Sequence, residues 1–115
     1  MVGSEFIRKY FMHDSLIDGV EVYNDGTKVV IMIDFAFWMQ EDYNETDPET
    51  GPIKVTFNNV TSYDIPKSID WNEISILETQ IEDGRIKFAL INDMTDDYLE
   101  INIASDSVDV EVVGM

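Results

Sequence analysis

Cysteine is absent, histidine occurs once and proline three times, and positive charge is scarce. Without cysteine there is no disulfide, no thiolate metal centre and no thiol nucleophile. A single imidazole leaves most general-base and metal-hydrolase schemes short of material. Seven Lys and Arg stand against 24 Asp and Glu, a formal net charge of −17. Such a chain is repelled by nucleic acid and by anionic membrane surfaces, and it attracts basic proteins or cations. No apolar run approaches the ~20 residues of a membrane span, and the N-terminal segment lacks the apolar stretch of a signal peptide. The expectation is a cytoplasmic protein with neither a membrane nor a nucleic-acid partner. Phosphate-cradling glycine loops are also missing.

What is present is enough for one core. The 115 residues are 44% hydrophobic and 11% aromatic, which implies a single domain over residues 1–115 rather than a disordered acidic chain. Residues 28–38, KVVIMIDFAFW, are apolar at nearly every position, rich in β-branched and aromatic side chains, and free of Gly and Pro. That pattern predicts a central strand covered on both faces, with Asp34 its only acid.

Around it the chain reads as hairpins. Residues 1–13 suit a short helix with Ser4 as its N-cap and its aromatic side docked on a sheet. The Gly3-Ser4-Glu5-Phe6 stretch also reads as a cloning-derived segment, in which case residues 1–6 carry no fold information. A strand over residues 16–23 joins the central strand through Asp25-Gly26, a type I′ signal that pairs Val22 with Val29 and Val20 with Ile31. Residues 40–51 are a polar loop, residues 52–60 a strand, and residues 61–66 a bend or short edge segment. An irregular connection over residues 67–73 is anchored by Ile69 and Trp71.

Strands over residues 74–82 and 85–92 meet at Asp83-Gly84, pairing Ile81 with Ile86, Thr79 with Phe88 and Leu77 with Leu90. A last hairpin, residues 97–103 and 107–113 about Ser105-Asp106, places Glu100 opposite Glu111 and Asn102 opposite Asp109. Like charges facing each other across a ladder cost roughly 0.2–1 kcal/mol, a violation that function can explain. The expected fold is mainly β, an antiparallel meander of about seven strands over residues 14–113, shaped as a sandwich or roll, with a short N-terminal helix.

Candidate sites are few. His13-Asp14-Ser15 has the residue types of a hydrolase triad, but three consecutive residues do not reach relay geometry, and a chain turn is the better reading. Tested from Asp42, the acidic loop supplies Asn44 at the third calcium-loop position, but Asp47 stands where Gly is required and Ile53 where Glu is required. No metal, no cofactor and no catalytic residue is therefore assigned. The remaining constellation is the acidic surface itself: Glu41, Asp42, Glu45, Asp47 and Glu49 on the loop, with Glu100, Asp109 and Glu111 on the last strands. These are the expected contacts for a basic protein, since complementary charge steers association. Three alternatives stay open: an acidic surface that serves only solubility, a ligand-binding or hydrolytic pocket near Asp34 and Trp38, and self-association through strand edges or the aromatic helix.

The segment Phe11-Met12-His13-Asp14-Ser15-Leu16-Ile17, followed by a strand, a turn and a longer apolar strand, resembles a recurring opening in small bacterial β-rich proteins. Residues 55–60, VTFNNV, are similar to a later aromatic strand of that group. Some of its members are assigned as immunity proteins of polymorphic toxin systems. The resemblance covers the first half of the chain, and His13, Asp14 and Ser15 match the opening. It implies an inhibitor of a basic toxin domain, a role the acidity suits because an acidic protein can occupy a nucleic-acid cleft.

Overall fold

The computed structural model describes residues 1–67 and 69–113. Helix α1 (Gly3–Lys9) is followed by strands β1 (Leu16–Tyr23), β2 (Lys28–Ala36), β3 (Thr50–Asn58), β4 (Ser62–Asp64), β5 (Ile74–Glu82), β6 (Arg85–Asn92), β7 (Tyr98–Ala104) and β8 (Ser107–Val112). All eight strands belong to one antiparallel sheet, ordered β4-β7-β6-β5-β1-β2-β3-β8. The mainly β expectation holds, with one strand more than expected. Ser68, in the connection before β5, lies outside the described residues.

The sheet is rolled. Phe57 on β3 and Phe88 on β6 are separated by four strand intervals in sheet order, which in a flat sheet would span roughly 19 Å. Their ring centroids are 6.1 Å apart. The two halves, β4-β7-β6-β5 and β1-β2-β3-β8, therefore close on each other around one core. Val29, Ile31 and Ile33 of β2, Val55 of β3 and Ile101 of β7 are all fully buried in it. Phe6 of α1 fills the junction, 6.3 Å from both Phe57 and Phe88. Residues 1–6 therefore take part in the fold, and Phe6 is fully buried. The helix is shorter than residues 1–13 and starts before Ser4, because the Val2 carbonyl accepts the Phe6 N–H; Val2 is the N-cap, with no side-chain cap.

The two halves meet at a narrow seam. Between β1 and β5 the ladder holds one pair, Leu16 with Ser75. His13, Asp14 and Ser15 supply the rest. The Asp14 N–H donates to the Ile76 carbonyl at 3.1 Å, and the Ile76 N–H donates to the Ser15 carbonyl at 2.8 Å. Both strands bulge beside the seam, β1 between Ile17 and Gly19 and β5 between Ile76 and Glu78. Bulges raise local twist, which is what a sheet bending back on itself requires. The bulge on β5 removes the expected Leu77–Leu90 pair; Ile76 pairs with Leu90 instead, while Ile81–Ile86 and Thr79–Phe88 form as read.

The β1–β2 turn is also as read. Asp25 (φ 55°, ψ 33°) and Gly26 (φ 92°) hold type I′ geometry, and Val22–Val29 and Val20–Ile31 pair. Strand β2 ends at Ala36 rather than Trp38. The Ala36 N–H is taken by the Ser15 hydroxyl, and the chain turns through a 3-10 segment, Phe37–Met39. Its core face is sealed, but the outer face is only partly covered: Val30 is buried, Met32 and Asp34 are half-buried, and Trp38 is 46% exposed.

The last hairpin differs most from expectation. Strands β7 and β8 are joined by a tight turn yet do not pair with each other. Strand β7 pairs with β6 and β4, and β8 crosses to the other half to pair with β3. Glu100 stands opposite Ala89, Asn102 opposite Lys87, Asp109 opposite Thr56 and Glu111 opposite Lys54. The expected Glu100–Glu111 and Asn102–Asp109 oppositions do not exist. Strand β3 offers Ile53, Val55 and Phe57 as register partners for Val112, Val110 and Val108, a match that a local hairpin would forgo.

Candidate functional site

The seam defines what His13-Asp14-Ser15 does. The His13 Nδ1–H donates to the carbonyl of Leu77, the bulged residue, at 2.8 Å. Asp14 adopts φ 66°, and its carboxylate lies 3.5 Å from His13 Nε2. Ser15 is fully buried, and its hydroxyl oxygen accepts the Ala36 N–H at 2.9 Å. The hydroxyl therefore binds backbone inside the fold. A nucleophile needs its oxygen turned towards a substrate.

The acids separate into groups by strand. Glu100 belongs to a network on the outer face of β6 and β7. The Lys87 ammonium lies 2.9 Å from Glu82 and 3.7 Å from Glu100, and the Tyr98 hydroxyl donates to Glu100 at 2.7 Å. The hydrogen bond to Glu82 raises the Lys87 pKa above the ordinary lysine value, and donation to Glu100 raises that of Tyr98. Reading the sequence as hairpins gives Lys87 only a partner on β5, and in the ladder that partner is Gln80. That reading misses the Lys87–Glu100 contact because that pairing comes from the β6–β7 ladder, beyond the hairpin.

Asp34 lies opposite Leu16 on β1 and Pro52 on β3, half-buried on the outer face. Its neighbour Asp18 sits on the β1 bulge, exposed at its outer side, where partial desolvation, and secondarily the charge of Asp34, pushes the Asp18 carboxyl above its usual value. The spacing of strand residues revealed Asp34 but not Asp18, since only the bulge aims that side chain at its neighbour.

Glu41, Asp42, Glu45, Asp47 and Glu49 lie on the loop between β2 and β3. Gln40 anchors it: its side-chain amide accepts the Phe11 N–H at 3.0 Å and donates to the Phe11 carbonyl at 2.7 Å and the Ala36 carbonyl at 3.0 Å. At the far end the Tyr43 hydroxyl donates to the Asp47 carbonyl, and Thr46 bonds the Asn44 side chain. These bonds give the loop a defined shape without employing its carboxylates. Strand β8 ends beside it, and Asp42, Asp47 and Val112 line one cavity of about 260 Å³, with Phe37 and Tyr43 among its walls. On the other side of the loop a broader hollow is lined by Arg8 and Lys9 as well as Glu41 and Asp42, so its charges compensate.

On β8, Asp109 accepts a hydrogen bond from the Asn58 amide at 2.8 Å, and Glu111 is exposed opposite Lys54. Among the described residues the ion pairs are His13–Asp14, Lys87–Glu82 and Lys87–Glu100. None involves the loop acids, Asp109 or Glu111. No three acids or His13 converge as a metal site among the described residues, and no described helix is long and apolar enough to cross a membrane. The chain matches no protein-family model, and no curated protein or solved structure is detectably similar to it.

Proposed function

We propose that this is a non-enzymatic binding protein for a basic protein, acting as an immunity-type inhibitor of a basic toxin domain. The observation that carries the reading is that, among the described residues, the loop acids, Asp109 and Glu111 enter no ion pair, at one end and one edge of the roll. Carboxylates outside any ion pair among the described residues, on a chain of net charge −17, create a field that attracts a basic surface and accelerates its association. Glu100, engaged by Lys87 and Tyr98 on the other half of the sheet, contributes to that field at longer range.

The test is capture of a basic protein from the source lysate at low and high salt, with wild type beside a variant carrying Asp42→Asn, Asp47→Asn, Asp109→Asn and Glu111→Gln. Capture by wild type alone, lost at high salt, is the expected result. Equal capture by both proteins would remove this surface from the contact. Purified partner then allows the inhibition of its activity to be measured directly.

A further inference from the structure

Strand β8 is an edge of the sheet, and its backbone directions follow from the bonds it makes. The Val108 N–H donates to the Met1 carbonyl, and the Met1 amino group donates to the Val108 carbonyl, so both polar groups of Val108 point away from β3. In an antiparallel ladder every second residue shares that direction. Val110 and Val112 therefore present N–H and C=O groups outward, and among the described residues neither meets a partner there. Val112 is 50% exposed and borders the cavity walled by Phe37 and Tyr43, with Asp42 and Asp47 at its lining.

We propose that this edge binds an extended basic segment of the partner by strand addition beside Val110 and Val112. The inference rests on the proposed function and specifies its mode. Strand addition supplies backbone hydrogen bonds, while alternate side chains read the flanking surface. One set of side chains would lie beside Asp109 and Glu111, which favours Lys or Arg. The other reaches the cavity, where aromatic walls and two carboxylates suit an Arg side chain. A second copy of this chain fits the edge poorly, because antiparallel pairing there sets Asp109 and Glu111 against their own equivalents.

The probe is a synthetic peptide with Lys at alternate positions and Val between them, one Val replaced by Arg to meet the cavity, compared with the same peptide N-methylated at every amide, which has no N–H on either edge to pair as a strand. Amide NMR should show Val110 and Val112 shifting and gaining exchange protection with the first peptide only. Val112→Pro removes an outward N–H that the β3–β8 ladder does not use, and should weaken binding about tenfold or more. Equal binding of both peptides, or of the peptide to Val112→Pro, would overturn strand addition. If capture of the basic protein still depended on the four acids, the proposed function would stand without it. A dimer in the absence of peptide, dissolved by Val112→Pro, would make the second copy the occupant and overturn the proposal. Unchanged Val110 and Val112 amides at millimolar peptide would overturn it as well, whatever the variant does.

Discussion

The hydroxyl oxygen of Ser15 accepts the backbone N–H of Ala36 at 2.9 Å, with both residues buried. That bond ties the seam between the two half-sheets to the point where the central strand stops. Ser15→Ala leaves the Ala36 N–H without its partner, and an unsatisfied buried donor costs about 1–3 kcal/mol. Urea unfolding should show the midpoint falling with the slope unchanged. An unchanged midpoint would detach this hydroxyl from the fold and reopen a chemical role for Ser15.

Phe6 touches both halves of the roll through Phe57 and Phe88. Truncation to Ala leaves a cavity at their junction, and Phe→Ala in a core typically costs about 3–5 kcal/mol. Thermal unfolding of Phe6→Ala should show a large loss, whereas Phe11→Ala, at a half-exposed side chain, should change little. Equal effects from the two would mean that the N-terminal segment does not close the core.

Gly51 stands under the ring of Phe37. A Cβ built at Gly51 would lie 2.8 Å from Phe37 Cε2, closer than such contacts permit, so the ring must shift. Gly51→Ala is expected to destabilise by about 1–3 kcal/mol through overpacking. Adding Phe37→Leu should recover part of the loss, and a double-mutant cycle with no coupling would contradict the contact.

Asp18 should make stability depend on pH in the direction opposite to a salt-bridged acid. Partial desolvation and Asp34 raise its folded-state value above the ordinary 3.8. The folded protein therefore holds this proton more tightly than the unfolded chain. Its ionisation penalises the fold above the folded-state value, and the penalty disappears as pH falls to the unfolded value. Asp18→Asn should accordingly raise the melting temperature at pH 7, with the gain shrinking towards pH ~3.8. A gain that stays constant over that range would point to a cause other than titration.

Much of the fold is written in short-range pattern. The Val22–Val29 and Ile81–Ile86 registers follow from an Asp-Gly turn and the alternation of apolar side chains on either side of it. Leu77 was misplaced because a bulge adds one residue to a strand without changing its composition. The candidate surface was legible as composition, since the loop acids cluster within residues 41–49, but not as an arrangement. The aromatic cavity beside Val112, the outward amides of Val110 and Val112, and the Lys87–Glu100 contact all require strands distant in the chain to be brought together.

The sequence by itself determined a β-rich, strongly acidic chain with its hairpin turns, its central apolar strand and its exposed acidic loop, because turn geometry and side-chain alternation act over a few residues. Tertiary structure alone decided that β7 and β8 part company. Sheet edges compete for partners over the whole molecule, and the apolar edge of β3 wins β8 away from its sequence neighbour. The same closure turned His13, Asp14 and Ser15 into the fastening of a seam, since the hydrogen-bond partners that fix their role lie at Ala36, Ile76 and Leu77.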